Sequence, residues 1–333
     1  MVLGNADCGR DTFAKSFEGL GRALFGRRFR DIPADHPIFT HEQFPAVGWR
    51  KRPTLRGLSN GVRELMVLIP DSDPARYWQD ARALKPHSDM FELGADIYQY
   101  AVDRQLWNKE DSFIVVPNPG ASPSQSIKVA RLSVGQNWDP EPGGWRRLEA
   151  LLHNEDNVQL EVFPARPGQG AMTSAKIAHL TGTGDFQLDQ AAALEIKSFV
   201  QNGGTLVVDA AGGSSAFATA AERELKKLFG QAAQAAFARP LQPDNPVYRL
   251  EAHPIDTFTY RAWARLHSVG ALKEPRVCGI QIGNRIGVYY SREDISAALV
   301  GQPVDGINGY SPQTGTAIMR NILLYTSPET APR

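Results

Sequence analysis

The amino-acid sequence predicts an α/β protein built around a doubly wound parallel sheet. Short apolar strands alternate with amphipathic helices between residues 127 and 228, which is the order of elements in such sheets. Residues 205–208 are almost wholly apolar, as expected of a strand that helices cover on both faces. The start of the chain also resembles its middle, so we expect the architecture to be duplicated.

Four strands and three helices are predicted in residues 127–228. Segments of alternating or continuous apolar character predict strands at 127–134, 158–163, 176–180 and 205–208. Segments whose apolar side chains recur at helical spacing predict helices at 144–154, after Asp189 and around 217–228. Asp189 is suited to cap the second of these helices, and Gly203 and Gly204 are suited to end it.

Two further elements are predicted towards the end of the chain. Residues 277–291 carry glycines at 279, 283 and 287 among apolar residues, which predicts a hairpin. Ser311 and Pro312 predict the start of a closing helix, because serine is a frequent N-cap and proline is favoured at the first helical position.

An internal repeat relates residues 1–26 to residues 205–230 without a gap. Identical positions include Phe13 and Phe217, and Leu24 and Leu228. Later blocks match in the same order, at 35–39 and 244–248, at Gly57, Gly61 and Arg63 with Gly279, Gly283 and Arg285, and around Gly94 and Gly315. Preserved order across several blocks indicates a duplication rather than chance matching.

The repeat divides the chain into predicted domains. Residues 1–115 are expected to be a truncated first copy, 116–125 a linker rich in Pro, Gly and Ser, and 126–327 a complete second copy. Residues 128–204 have no counterpart in the first copy. We expect the chain to be a piece of a longer protein; the alternative is that the first domain is a half-unit that rests on the second.

Composition argues against several classes of protein. Of the 333 residues, 42% are hydrophobic and 22% charged, which excludes a disordered chain and a disulfide scaffold. Lys plus Arg equals Asp plus Glu at 36 each, so the net charge does not favour binding to nucleic acid or to a membrane surface. No apolar run is long enough to predict a membrane span, and no signal peptide is recognised.

Motifs for metals and nucleophiles are lacking. The cysteines Cys8 and Cys278 lie far apart, and an idle thiol is the favoured interpretation of Cys8. The seven histidines show no metal-ligand spacing, and the closest approach is His36 and His41 near Asp35 and Glu42. Because His36 corresponds to Asn245 in the repeat, a turn-forming role is favoured, and no metal or cofactor is predicted.

Several blocks together resemble an uncharacterised bacterial family, domain of unknown function 4159. They are Asn137-Trp138 with Trp145, Leu180-Thr181-Gly182, Gly203-Gly204-Thr205-Leu206, Asp209 with Gly212-Gly213, Asp35 to Phe39, and Gly287 to Ser291. The resemblance covers nearly the whole chain, as one truncated and one full copy. It implies a flavodoxin-type fold similar to class I glutamine amidotransferases, and it suggests that a longer protein would be associated with the cell envelope.

A ligand site is predicted where the strands of the second copy end. In open parallel sheets, ligands bind beyond the carboxyl ends of the strands. The predicted ligand-binding residues are the polar and glycine residues of three such segments, Asn137, Trp138, Thr181, Gly182, Asp185, Asp209, Gly212 and Gly213. The alternatives are that Asp209 caps the next helix, that the glycines form turns, and that Trp138 and Trp145 pack on their own helix instead of forming a wall for a sugar or peptide.

Three functions remain open. The favoured one is a non-catalytic module that binds a small polar ligand or a protein partner, because no set of nucleophile, base and orienting group occurs. The second is a hydrolase or transferase that uses Asp209 with Asp185 or Ser214. The third is an architectural domain of an envelope-associated protein. A neutral polar ligand or peptide is favoured over phosphate, since Asp209 would compete for the helix N–H groups, and association through the truncated first copy is expected.

Overall fold

A computed structural model describes residues 1–6, 11–105 and 113–327. The chain divides into two compact units. Unit 1 comprises Met1–Lys109 and Pro303–Gly306, and unit 2 comprises Glu110–Gln302 and Ile307–Arg333. No pattern in the sequence indicated that residues 303–306 belong to unit 1. Cys8 lies outside the described residues. Within the described ranges, no helix is long and apolar enough to cross a membrane.

Unit 1 contains a four-stranded sheet in the order β1-β4-β3-β2. Its elements are β1 (Val2–Asn5), α1 (Asp11–Phe25), β2 (Arg30–Asp31), α2 (Pro37–Thr40), β3 (Arg56–Ser59), β4 (Glu64–Ile69), α3 (Pro74–Trp78) and α4 (Ser88–Ala101). The first strand is parallel to β4, and the other pairs are antiparallel. Because β1 is the first strand in this order, one of its edges has no neighbouring strand among the described residues.

Unit 2 contains a six-stranded sheet in the order β11-β12-β8-β7-β5-β6. Its elements are β5 (Gln125–Leu132), α5 (Pro142–Glu155), β6 (Val158–Ala165), β7 (Ile177–Gly182), α6 (Gln190–Gln201), β8 (Thr205–Ala210), α7 (Ser215–Ala238), β9 (Arg249–Leu250), β10 (His253–Pro254), α8 (Ala262–Ala264), β11 (Cys278–Ile282), β12 (Arg285–Ser291) and α9 (Pro312–Thr326). Neighbouring strands of the six-stranded sheet are parallel except for the hairpin of β11 and β12, and β9 and β10 form a separate antiparallel pair. The predicted α/β class with a parallel sheet is confirmed.

Helices cover both faces of this sheet. On one face, α5 and α9 pack on strand residues such as Val129, Ile177 and Val207. On the other face, α6 and α7 pack on Ala178 and Val208. This arrangement explains the almost wholly apolar sequence of β8, whose residues are all buried.

The helix caps agree with the sequence in two places and differ in a third. Asp189 accepts a hydrogen bond from the backbone N–H of Ala192, and Ser311 caps α9. Asp209 does not cap α7, because it lies within β8, and Ser214 is the N-cap instead. The alternative interpretation of Asp209 as a helix cap is therefore wrong, since its carboxylate has other partners.

The two sheets share a strand register. In unit 1, Val2 pairs with Met66 in parallel, and in unit 2, Leu206 pairs with Val288 in parallel. The hairpin next to each pair is interrupted at the same place, after Leu58 in unit 1 and after Ile280 in unit 2. These are the positions that the aligned glycine blocks of the sequence equate.

Candidate functional site

The carboxyl ends of the parallel strands of unit 2 share one edge of the sheet. Thr181 and Asp209 pair across β7 and β8 near that edge. Asn137 follows β5 and Asp185 follows β7, so their loops leave the same edge. The parallel topology therefore brings the strand-end residues to one side of the sheet, as the sequence predicts. Their side chains, however, have very different surroundings.

The Asp209 carboxylate is fully buried and fully hydrogen-bonded. His179 Nε2 lies 2.8 Å from Asp209 Oδ1, while the backbone N–H groups of Ile295 and Ser296 donate to Oδ2 at 3.0 and 2.9 Å. Thr181 adds a hydrogen bond from its hydroxyl to the Asp209 backbone carbonyl at 2.7 Å. A buried carboxylate with this many donors is stable in its ionised form.

The pKa values of this pair follow from burial and from the hydrogen bonds. Burial alone would raise the pKa of Asp209, but the hydrogen bonds from His179 and from the two backbone N–H groups outweigh it and lower that pKa. Burial lowers the pKa of His179, against the opposing effect of Asp209. We therefore assign an ionised carboxylate that accepts from the N–H of a neutral imidazole.

A second buried carboxylate, Asp294, accompanies Asp209. Its oxygens accept from the backbone N–H groups of Gly212, Ala297 and Ala298 at 2.8 to 3.1 Å. Burial, and then the nearby charge of Asp209, raises the pKa of Asp294 to about 7. Asp185, in contrast, has a side chain that is 67% exposed and forms an ion pair with Arg223. The carboxylate close to Asp209 is thus Asp294 rather than Asp185.

The candidate glycines lie against parts of unit 2 itself. A Cβ on Gly182 would come 3.0 Å from the Phe217 ring, and a Cβ on Gly213 would come 2.1 Å from the Asn308 carbonyl oxygen. Gly212 and Gly213 also have φ values of +67° and +70°, which glycine adopts at low cost. Gly212 and Gly213 therefore form a turn, as one interpretation of the sequence has it. The space beside Gly213, where a ligand was expected to approach, is occupied by the Asn308 backbone.

Asn137 links two of the strand-end loops by a hydrogen bond. Its side-chain amide donates to the Thr183 hydroxyl at 2.8 Å, which connects the loop after β5 to the loop after β7. The residue has a φ of +57°, a conformation that asparagine tolerates better than most residues. Asn137 therefore orders the edge of the sheet beside its neighbour Trp138.

Two tryptophans and an arginine line a cavity of about 240 Å³ beside β5 and β6. The Arg131 guanidinium lies 5.7 Å from the Trp138 ring centroid and 5.6 Å from that of Trp145, and it forms an ion pair with Asp139. Further lining residues are Pro142, Arg146, Glu149, Val162, Phe163 and Pro164. The wall of this cavity therefore offers aromatic surface, two cations and two carboxylates to a small molecule.

Buried polar atoms at this cavity lack hydrogen-bond partners. Arg131 Nε and Trp145 Nε1 are buried N–H donors without an acceptor in the part of the chain that the structure describes. His179 Nδ1 is also buried without a partner among the described residues, but as an acceptor, because the neutral ring donates from Nε2 to Asp209. The His179 ring centroid lies 5.1 Å from that of Trp145. Buried polar groups are nearly always hydrogen-bonded, so these atoms call for a water or a ligand.

Three residues of this region, Arg131, His179 and Asp294, were not predicted from the sequence. Arg131 and His179 are polar residues within strands that are otherwise apolar and buried, and this interruption is the signal that could have identified them. Asp294 follows the hairpin, where acidic residues are common, so nothing in its neighbourhood distinguished it.

The remaining candidates have structural roles. His36 accepts from the Ile38 N–H at 3.2 Å and is the N-cap of α2, which confirms the predicted turn-forming role. Asn245, its counterpart in the repeat, accepts from Val247 N–H in the same way. Cys278 is a free thiol whose pKa burial raises to about 11, so it is protonated at neutral pH.

Comparison with protein families gives one result that spans most of the chain. A family model described as "Domain of unknown function (DUF4159)" matches residues 128–326. Curated proteins give no significant match. The matched region contains the whole carboxyl edge and the cavity beside Trp138.

Proposed function

The chain belongs to the DUF4159 family, whose description names no activity, and we propose a function from the geometry of unit 2. We propose that unit 2 is a non-catalytic module that binds a small polar ligand. The ligand would occupy the cavity between Trp138, Arg131 and Trp145. The observation that carries this proposal is that two residues lining that cavity have buried N–H donors, Arg131 Nε and Trp145 Nε1, without acceptors among the described residues. A ligand with acceptor oxygens would satisfy both donors.

The lining of the cavity favours a small ligand that both donates and accepts hydrogen bonds. Asp139 and Glu149 offer acceptors, while Arg131 and Arg146 offer donors. A volume of about 240 Å³ lies below the usual range of drug-sized pockets, which begins at roughly 300 Å³. A monosaccharide, a polyol or a free amino acid fits these limits better than a nucleotide.

The surroundings of Asp209 support binding over catalysis. A catalytic carboxylate has to reach its substrate, and Asp209 is enclosed with both of its oxygens engaged by His179, Ile295 and Ser296. Asp185, the second candidate, is engaged with Arg223 at the surface. The alternative of a hydrolase or transferase that uses these two carboxylates is therefore less well supported.

The strand order supports the finer fold assignment that we propose. Counted along the chain, the five parallel strands of unit 2 lie in the order 2-1-3-4-5, which is that of flavodoxin-like folds. In that fold, ligands bind near the reversal of strand order, which here lies between β5 and β7. A fold similar to class I glutamine amidotransferases is consistent with this order, although Ala211 and Gly212 stand where those enzymes have a cysteine.

The shared strand register supports the duplication. The parallel pairs Val2–Met66 and Leu206–Val288 occupy equivalent positions in the two sheets. Met66 and Val288 also form the last regular pair of their hairpins before the register shifts. We interpret unit 1 as the C-terminal half of the same domain, without the strands that correspond to β5, β6 and β7. On this interpretation, unit 1 lacks the part of the domain that forms the cavity in unit 2.

A binding screen on the full chain tests the proposed function. Monosaccharides, polyols and amino acids would be screened by thermal shift against the wild type, Trp138→Ala and the control Trp263→Ala. A ligand raises the unfolding temperature by an amount set by its concentration relative to its dissociation constant. We expect a stabilising ligand whose effect Trp138→Ala abolishes and Trp263→Ala preserves. A ligand whose effect survives Trp138→Ala would contradict the proposed location.

A further inference from the structure

A cluster of three potential metal ligands lies within unit 1. His41, Glu42 and Asp305 each have a ligating atom within 4.8 Å of those of the other two. His41 Nδ1 is 2.6 Å from Asp305 Oδ2. The side chains are 6%, 0% and 0% exposed, so the cluster is buried. Such a group of imidazole and carboxylates away from water needs a compensating charge.

The backbone holds the three residues in place. His41 is the C-cap of α2, and its backbone N–H donates to the carbonyl of Pro37, the first residue of that helix. Glu42 is the next residue in the chain. The N–H of Asp305 donates to the Tyr100 carbonyl at 2.8 Å, which fixes the segment Pro303–Gly306. The ligating groups are therefore attached to positions that the fold of unit 1 determines, as metal binding requires.

Arg104 is shared between the two carboxyl groups of the cluster. Arg104 Nε is 3.2 Å from Glu42 Oε2 and 3.8 Å from Asp305 Oδ2, so one guanidinium faces two carboxylates. Glu42 Oε1 is buried and accepts no hydrogen bond from an N–H group or hydroxyl of the described residues. Arg104 thus engages one oxygen of Glu42 and leaves the other for a second cation.

We propose that His41, Glu42 and Asp305 bind a divalent transition-metal ion, with Zn²⁺ as the best match. One nitrogen and two carboxylate ligands suit Zn²⁺, which often takes three protein ligands and a water, whereas Mg²⁺ and Ca²⁺ prefer oxygen ligands alone. Arg104 orients Glu42 from the outer shell, as groups that hydrogen-bond to ligating carboxylates do. Its side chain is 39% exposed, so the cluster lies close to solvent at this side.

The competing explanation is an ion-free network. In that case Arg104 pairs with Asp305 while the Glu42 carboxyl keeps its proton, because burial and the neighbouring Asp305 raise the pKa of Glu42 to about 8. The two explanations differ in what Glu42→Gln does. Without a metal, the variant replaces one neutral polar group by another, and with a metal it removes a ligand.

Zn²⁺ titration of the full chain decides between them. Chelator-treated protein would be titrated by calorimetry, with Co²⁺ absorption as a second readout of the coordination shell. The variants are Glu42→Gln and His41→Gln, and His87→Gln is the control for adventitious histidine binding. Circular dichroism of each metal-free variant checks that it folds, and Asp305→Asn replaces a variant that does not.

We expect one Zn²⁺ per chain, binding at least tenfold weaker in Glu42→Gln and His41→Gln, and unchanged in His87→Gln. The Co²⁺ spectrum of the wild type should indicate mixed nitrogen and oxygen ligation and should be lost in Glu42→Gln. Absence of stoichiometric Zn²⁺ binding in the wild type overturns the proposal. Equal binding by the wild type and Glu42→Gln overturns it as well, because the ion would then lie elsewhere.

Discussion

Replacement of Asp209 should destabilise unit 2 by an amount that its hydrogen bonds determine. In Asp209→Asn, one oxygen becomes an N–H₂ group, which faces either the N–H of His179 or the N–H groups of Ile295 and Ser296. At least one buried donor then lacks an acceptor, at a cost of about 1 to 3 kcal/mol. Asp209→Ala leaves all three donors without an acceptor, and we expect a loss of about 3 to 5 kcal/mol.

Urea unfolding at pH 7 measures these changes, and Asp185→Asn is the matched control. Asp185 is exposed and pairs with Arg223 at the surface, so its replacement should change the free energy of unfolding by less than about 1 kcal/mol. The lowered pKa of Asp209 adds a pH test. Its stabilising contribution is present above the unfolded value of about 3.9 and is lost as the pH falls through the folded pKa. Equal effects of Asp209→Asn and Asp185→Asn would refute the buried network.

Three further predictions concern backbone geometry, a buried carboxyl group and the open sheet edge. Gly213→Ala should lower the free energy of unfolding by more than about 2 kcal/mol, because of its positive φ and a clash with the Asn308 backbone. In the control Gly184→Ala, the added Cβ meets no atom within 4 Å, so the free energy of unfolding in denaturant should change little. Burial raises the pKa of Asp96 to about 7, so its contribution to stability is complete below about pH 4 and is lost as the pH rises towards 7. Between pH 5.5 and 8 this loss is at most about 2 kcal/mol of unfolding free energy, and Asp96→Asn should remove it. Leu3→Lys on the edge strand β1 should reduce self-association in sedimentation experiments, while Leu194→Lys on α6 should not, and equal association of both variants would exclude β1 as the contact.

The sequence predicted the elements of unit 2 because their patterns are regular. Strand β8 is apolar along its length, and the cap of α6 by Asp189 has a local signature, so both were recognised. Strand ends differ by one or two residues, since pairing with neighbours rather than local pattern decides where a strand stops. Strand β7, for example, extends to Gly182 because Thr181 and Gly182 pair with β8.

The side-chain environment of the site could not be predicted in the same way. Sequence position correctly assigned Asp209 and Thr181 to the carboxyl edge, but it could not tell whether a carboxylate there faces solvent or the N–H groups of residues 295 and 296. Those residues lie far along the chain and reach Asp209 only in the folded sheet. The occupation of the space above Gly213 by Asn308 has the same origin.

Trp138 shows what a residue pattern can and cannot predict. The two tryptophans left two possibilities open, packing on their own helix and an aromatic wall, and both of them line one cavity. The pattern did not include Arg131, whose guanidinium lies near both rings, because that residue belongs to the preceding strand. Ligand binding at this cavity therefore stays a prediction that rests on two unsatisfied donors.

The most direct test of the proposed binding site follows the Trp145 Nε1–H donor during a ligand titration. Protein labelled with ¹⁵N at its six tryptophans gives indole N–H signals that can be followed while the stabilising sugar, polyol or amino acid from the screen is added. We predict that the Trp145 signal moves most, with Trp138 next, because a ligand would supply the acceptor that Trp145 Nε1 does not find among the described residues. Saturable shifts confined to Trp49, Trp78 or Trp263 would contradict the account.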